Sequence, residues 1–253
     1  MKPAMHTSRQ LAAAGLLLTG WHLTALWLGP LLMATPFDTM RALLELVHSA
    51  RFLEDAGVTL LRVGLGVGLA CALGLLLGLA GGVSGHVRGL LEPLRWLLMA
   101  VPPVVVVLLA MLWFGLGTRM VVFLAVLMLT PGMYVNVVKG MRAVDPALLE
   151  MAQVYRLSTW QKLTRLYLPA LAAPLSAALL IATCGGVRLV VMAEVLGTDS
   201  GAGFALANAR STFDSGQLYA WVLLTLLLVG ALEFAMLQPL QRRLSRWQEP
   251  SHA

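Results

Sequence analysis

The sequence predicts an all-α fold, a polytopic membrane bundle of six transmembrane helices, and three observations predict it. Of 253 residues, 59% are hydrophobic and 12% charged, with a mean hydropathy of +0.82, which leaves too few polar groups to cover a water-soluble surface. Apolar runs of about the 20 residues that a bilayer requires recur along the chain, and the basic residues sit in the loops between them. One long polar stretch, 145–168, interrupts the pattern between the fourth and fifth runs. The formal charge of +6 is not arranged as a basic stripe with interleaved aromatics, so nucleic acid is not the expected partner. Cys71 and Cys184 both lie in apolar runs, which predicts neither a disulfide nor a metal centre.

The elements follow in order, with residues 1–10 as a cytoplasmic leader, 11–247 as the transmembrane unit and 248–253 as a cytoplasmic tail. Leu11 to Ala34 is the first span. A cleaved signal peptide competes with that reading, but the run is long for a signal core and lacks an Ala-x-Ala site. Pro36 opens a short amphipathic helix with Leu43, Leu44 and Val47 on one side, expected on the outer surface. Ala56 to Val83 is the second span, with Gly64, Gly66, Gly68, Gly74, Gly78, Gly81 and Gly82 allowing close helix packing. Arg62, near its start, is expected to snorkel to the outer interface.

Ser84 to Arg95 is a basic loop, and Leu94 to Gly115 the third span, broken at Pro102 and Pro103. Two prolines remove hydrogen bonds and force a kink. Freed backbone carbonyls at membrane depth are tolerated against protein or along a cavity, so both prolines are candidate pathway residues. The fourth span runs from about Arg119 to Val138, and the fifth from about Pro169 to Leu196. The loop Gly197 to Gly203, with Gly201 between, and a helical stretch at Phe204 to Phe213 form the second polar excursion. The sixth span, Leu218 to about Leu240, ends in Arg242, Arg243 and Arg246.

The polar stretch 145–168 carries its own local signals. Asp145 before Pro146 is an N-cap followed by proline at the first helical position. Ser158 and Gln161 make a capping box, in which serine oxygen and glutamine side chain satisfy each other's orphan backbone donors. Two short helices therefore meet near Arg156, and Pro169 marks the next span. With both termini inside, Lys2, Arg9, Arg88, Arg95, Lys139, Arg142, Arg156, Lys162, Arg165, Arg242, Arg243 and Arg246 are cytoplasmic, against Arg41, Arg51, Arg119 and Arg210 outside. That asymmetry puts the helix pair in the cytoplasm.

Within this stretch, Glu150, Ala152, Leu166, Leu168 and Pro169 fall on a Glu-Ala-Ala, glycine, Ile-x-Leu-Pro pattern, with Met151 at the first alanine and Arg156 at the glycine. The chain thereby resembles the permeases of bacterial ATP-binding cassette importers. The runs TLLRVGLGVGLACALGLLLG, AVPPVVVVLLAMLWFGLG, VVMAEVLGTDSGAGF and QRRLSRW resemble the nitrate, sulfonate and taurine branch. The resemblance implies a permease dimer, two ATPase subunits that bind ATP-Mg, and a periplasmic binding protein, all at the bacterial inner membrane. It implies that the helix pair couples to the ATPase through Glu150, Ala152, Tyr155, Arg156, Ser158, Trp160, Gln161, Leu168 and Pro169, with Leu149, Val154, Tyr155 and Trp160 filling the ATPase groove. An arginine in the left-handed conformation that glycine adopts costs about 1 kcal/mol, so a differently shaped turn is expected at Arg156.

No P-loop, metal-ligand cluster or nucleophile paired with a base is present in the sequence, so neither an enzyme nor a cofactor on this chain is expected. Arg188 and Glu194 are the intramembrane charges. Six residues apart, about 9 Å along a helix, they do not share a face. Arg188 is the candidate contact for an anionic solute, with a structural ion pair as the competing reading. Glu194 is placed near the outer end, beneath a gate loop carrying Gly197, Gly201 and Gly203, and Glu233 is assigned to packing. The solute expected is a small organic anion such as a sulfonate or taurine, or else nitrate. A thiamine-precursor-like pyrimidine, an ion-coupled secondary transporter and a channel or scaffold remain as alternatives.

Overall fold

The computed structural model describes residues 4–232 and residue 234. The end of the sixth predicted span, Glu233, the basic cluster Arg242, Arg243 and Arg246, and the tail lie outside the described residues, as does the start of the leader. All regular elements among the described residues are helical.

Helix α1 (Ala4–Leu28) takes in residues 4–10 of the expected leader. Trp21 holds it in place, donating its indole N–H to the Ala34 carbonyl at 3.0 Å and stacking on Tyr219. Helix α2 (Pro36–Val47) is capped by Thr35, with proline in the first turn. Its buried side is Thr39 and Leu46 with Leu43 packed alongside, whereas Leu44 and Val47 are exposed. The buried face is thus displaced from the Leu43, Leu44 and Val47 side read in the sequence, because α2 packs Leu46 and Leu43 against Ala202, Ala220 and Trp221.

Helix α3 (Ala50–Val83) begins six residues before the expected span, on a Ser49 cap. It packs along α6 (Thr118–Arg142), and its glycines set the separation. A Cβ on Gly74 would stand 2.4 Å from the Met133 Cβ, and one on Gly78 2.5 Å from that of Val137. Gly64 and Gly68 meet nothing within 4 Å and belong to another face.

The predicted third span and the stretch 84–95 read as a loop before it are two helices, α4 (Gly85–Ala100) and α5 (Pro103–Phe114), bent by 100°. Pro102 is the extended N-cap residue of α5, without a side-chain cap, so the prolines break the helix rather than kink it. Helix α7 (Pro146–Val154) and helix α8 (Thr159–Lys162) follow α6, then a π-helical turn at Leu163–Tyr167 leads into α9 (Leu168–Gly197). Pro169 therefore lies inside a continuous helical path. The wider turn precedes a residue that cannot donate a backbone hydrogen bond, a common site for such a bulge. Helices α10 (Ala202–Ser211) and α11 (Ser215–Ala231) complete the described chain.

Three helical segments are long and apolar enough to cross a membrane, Ala50–Val83, Thr118–Arg142 and Pro174–Gly197, and the α4–α5 pair makes a fourth if counted as one broken span. Ala12–Leu28 and Ser215–Ala231 are shorter apolar helices. Six spans are reached only when all of these are counted. The central core joins Val63 and Val67 of α3, Val107 of α5, Leu124 of α6 and Val190 of α9. A second cluster, Leu46, Ala202, Ala220 and Trp221, closes the end of the bundle opposite α7 and α8.

Candidate functional site

At that closed end, a loop is held by charge. Arg62 is 2% exposed and Glu194 is 0% exposed, and their closest atoms, Nη1 and Oε1, are 2.8 Å apart. Arg62 also donates to the Ser200 carbonyl at 2.7 Å, the Ser200 hydroxyl at 3.0 Å and the Thr118 hydroxyl at 3.1 Å. Glu194 accepts from the Thr59 hydroxyl at 2.9 Å and the Gly203 amide at 2.9 Å. Thr59 in turn accepts from the Ala202 amide at 2.8 Å, and Asp55 from the Gly201 amide at 2.7 Å.

Two opposite charges are thus taken out of solvent together, each with further hydrogen bonds, which is the condition under which a buried pair is tolerable. Arg62 does not snorkel. It turns inward because a carboxylate and three oxygens from α6 and the loop converge on its guanidinium.

The loop's shape depends on two glycines. Gly201 has φ +103°, and a Cβ there would sit 2.4 Å from Glu194 Oε1. At Gly203 a Cβ would sit 2.3 Å from the Val191 carbonyl. Gly197 is joined to the turn before α6, its carbonyl accepting from the Gly117 amide at 3.0 Å. Beside the loop a cavity of about 710 Å³ opens, lined by Glu45, Glu54, Asp55 and Asp199 with Arg51 and Trp221.

The opposite end carries the short helix pair. Asp145 accepts from the Ala147 amide at 2.8 Å, and the capping box is complete, with Gln161 N–H to the Ser158 hydroxyl at 3.2 Å and Ser158 N–H to Gln161 Oε1 at 2.9 Å. Arg156 adopts φ +51°. Its amide bonds to the Gln153 carbonyl and that of Leu157 to the Ala152 carbonyl, both at 2.9 Å, the paired bonds of a Schellman turn. The expectation of a different turn is therefore corrected. Arginine takes the glycine conformation because the two closing hydrogen bonds and the cap on α8 offset its steric cost.

Around this turn Ala152 is buried, while Glu150, Arg156, Ser158, Leu168 and Pro169 face outward. Val154 is 79% exposed, Tyr155 74% and Trp160 71%, and Gln161 is half-buried. Four large apolar or aromatic side chains, Met151, Val154, Tyr155 and Trp160, are thus exposed along the same short segment as Glu150 and Arg156.

Arg188 lies on the outward side of α9, in line with exposed Ile181 and Val195 at seven-residue intervals. Among the described residues it has no hydrogen-bond or ion-pair partner. Gly197 ends the apolar segment Pro174–Gly197 nine residues on, about 14 Å along the axis, so Arg188 lies near the middle of that segment. Pro102 is exposed and Pro103 half-buried at the α4–α5 break. The structure does not bring Arg188 to Glu194, whose partner is Arg62.

The family described as binding-protein-dependent transport system inner membrane component matches residues 70–246. The chain belongs to that family. This inner-membrane component is similar to a Bacillus subtilis protein named as an aliphatic sulfonates transport permease, 28% identical over 221 residues covering 85% of this chain and 78% of that one. It is 28% identical over 240 residues to the taurine transport system permease of Escherichia coli, covering 92% and 87%. In fold it resembles a chain of the inward-facing MetNI methionine ABC transporter, with a TM-score of 0.66 at 15% identity over 74% of this chain and 92% of that one.

The component is therefore a multi-pass inner-membrane permease subunit of an ATP-binding cassette importer. It is a transport component, not an enzyme, and works with an ATPase and a binding protein. These likenesses favour neither the pyrimidine precursor nor the ion-coupled or scaffold alternatives.

Sequence reasoning missed Thr59, Asp55 and Ser200, and misassigned Arg62. The available signal was two opposite charges, Arg62 and Glu194, each near the same end of its span, because a lone charge there is costly.

Proposed function

We propose that two copies of this chain form the pathway for a small organic anion of the sulfonate class, with both termini in the cytoplasm and two ATPase subunits binding ATP-Mg against α7 and α8. The observation that carries the reading is the exposed α7–α8 patch, where Glu150 stands among Met151, Val154, Tyr155 and Trp160 on a rigidly capped turn. An ATPase groove would accept the apolar side chains and hydrogen-bond Glu150. Movement of α7 and α8 then passes to α6 and α9, because both flank the pair without a flexible linker.

Arg188 supports a second copy on the outward side of α9. A cation near the bilayer centre faces a cavity or another protein surface, not lipid. Two such faces set together would line a pathway with an arginine from each, and the sulfonate and taurine permeases among the relatives agree with a cargo that carries a sulfonate group. Arg62 and Glu194 hold the Gly197 to Gly203 loop as part of the outer gate, and the acidic cavity beside it suits a basic edge of the binding protein. Glu194 acts by positioning the loop, since its carboxylate is already engaged by Thr59, Arg62 and Gly203.

The test is uptake of labelled taurine and alkanesulfonates into proteoliposomes holding this chain, its ATPase and its binding protein. ATP-dependent uptake of a sulfonate that Arg188→Ala abolishes is the expected result. Uptake of an uncharged solute alone, unaffected by that substitution, overturns the anionic assignment.

A further inference from the structure

A cationic cavity of about 560 Å³ lies at the α7–α8 end of the bundle, apart from the patch around Glu150. Helix α4 contributes Arg88 and Arg95 to its wall, and the last turns of α6 contribute Lys139 and Arg142. The acid that lines it, Glu92, is taken by Arg95, whose Nε donates to Oε1 at 3.0 Å. Among the described residues, Arg88, Lys139 and Arg142 have no carboxylate within ion-pair distance. Four cations face one acid, so the cavity carries a net excess of positive charge.

A second, independent observation points to an occupant. Tyr134 also lines the cavity and is only 4% exposed, and its hydroxyl has no hydrogen-bond partner. Buried hydroxyls are nearly always bonded, so an unbonded one on a residue in the wall of a cationic cavity is a donor in want of an acceptor. Gly81 of α3 lets the tyrosine pack this closely, since a Cβ there would stand 3.0 Å from the ring and 3.1 Å from its oxygen. The N-terminus of α4, capped by Ser84, begins at the same cavity and adds its partial positive charge.

We propose that this cavity binds a phosphate-type oxyanion, which accepts from Tyr134 and is neutralised by Arg88, Lys139 and Arg142. Leu90, Leu94 and Leu97 run down the exposed side of α4 from the cavity at helical spacing. Acyl chains fit along that stripe, so the headgroup of an anionic phospholipid is the source the surroundings favour. The site is independent of which solute the importer carries. It ties α4 to the end of α6, next to the helix pair, and occupancy holds those two helices together.

The experiment uses the purified full chain, stripped of lipid, with thermal unfolding and native mass spectrometry as readouts. Phosphatidylglycerol, phosphatidylcholine and inorganic phosphate at matched ionic strength are added separately. Phosphatidylglycerol is expected to raise the unfolding midpoint by several degrees and stay bound in the mass spectrum, while phosphatidylcholine does neither. Arg88→Gln with Lys139→Gln abolishes the shift. Tyr134→Phe, which removes one oxygen and keeps the packing, weakens phosphatidylglycerol binding about fivefold to tenfold, and carries the test if the double variant does not fold. A shift from inorganic phosphate with none from phosphatidylglycerol overturns the lipid source and keeps the oxyanion. Equal effects of all three additives, or phosphatidylglycerol binding that Tyr134→Phe and the double variant leave unchanged, overturn the site.

Discussion

Arg62 and Glu194 stand 132 residues apart in the chain and 2.8 Å apart in the fold, both buried, and between them they fix a loop that neither belongs to. Arg62 reaches Ser200 by two hydrogen bonds and Glu194 reaches the Gly203 amide, so the loop is gripped from both sides. A buried pair contributes little net stability when intact, but loss of one partner strands the other as an unpaired charge.

Glu194→Ala is therefore expected to destabilise the folded chain by about 3–5 kcal/mol. A double variant, Arg62→Met with Glu194→Leu, recovers much of that loss because no charge is left stranded. Thermal unfolding in detergent of Arg62→Met alone, Glu194→Leu alone and the double variant checks this, and a double variant that loses as much as the two singles summed contradicts it.

Gly203→Ala displaces the loop. Its Cβ would fall 2.3 Å from the Val191 carbonyl, a backbone atom that cannot move aside without bending α9. Proteolysis within 197–203 is expected to accelerate several-fold, whereas Gly68→Ala, with open space around it, leaves cleavage unchanged.

At the other end, Arg156→Gly relieves a left-handed φ and is expected to stabilise the turn by about 1 kcal/mol. Ser158→Ala removes half of the capping box and costs about 1 kcal/mol. Hydrogen exchange of the 157–161 amides reads both effects, slower in the first variant and faster in the second.

Arg188→Ala separates stability from transport. With no partner among the described residues, its loss changes the unfolding free energy by less than about 0.5 kcal/mol. Uptake of an anionic solute falls by more than about tenfold, the cost of losing one charge-assisted contact of about 1.5 kcal/mol or more.

Local chemistry was legible in the sequence, and long-range pairing was not. Asp145, Pro146, Ser158 and Gln161 act on backbone groups two or three residues away, so their spacing alone specified the caps. The glycines of α3 announced close packing, but which of them face α6 depends on helix rotation, and Gly64 and Gly68 do not. Arg62 was misread because its partners, Glu194 and Ser200, are brought to it by the packing of α3 against α9. The 100° break at Pro102 exceeded the kink expected because consecutive prolines remove two donors and the preceding residue leaves the helical region. At Arg156 the steric rule was sound, but the Schellman hydrogen bonds outweighed it.

The most direct test of the account is co-purification of the ATPase with the wild-type chain and with Glu150→Ala, together with ATP hydrolysis when the binding protein and solute are added. The account predicts that Glu150→Ala folds normally, since Glu150 is exposed and has no partner among the described residues, yet loses most of the bound ATPase and its stimulation. Full ATPase association and unchanged stimulation in that variant would contradict it, and the α7–α8 patch would then not be the coupling surface.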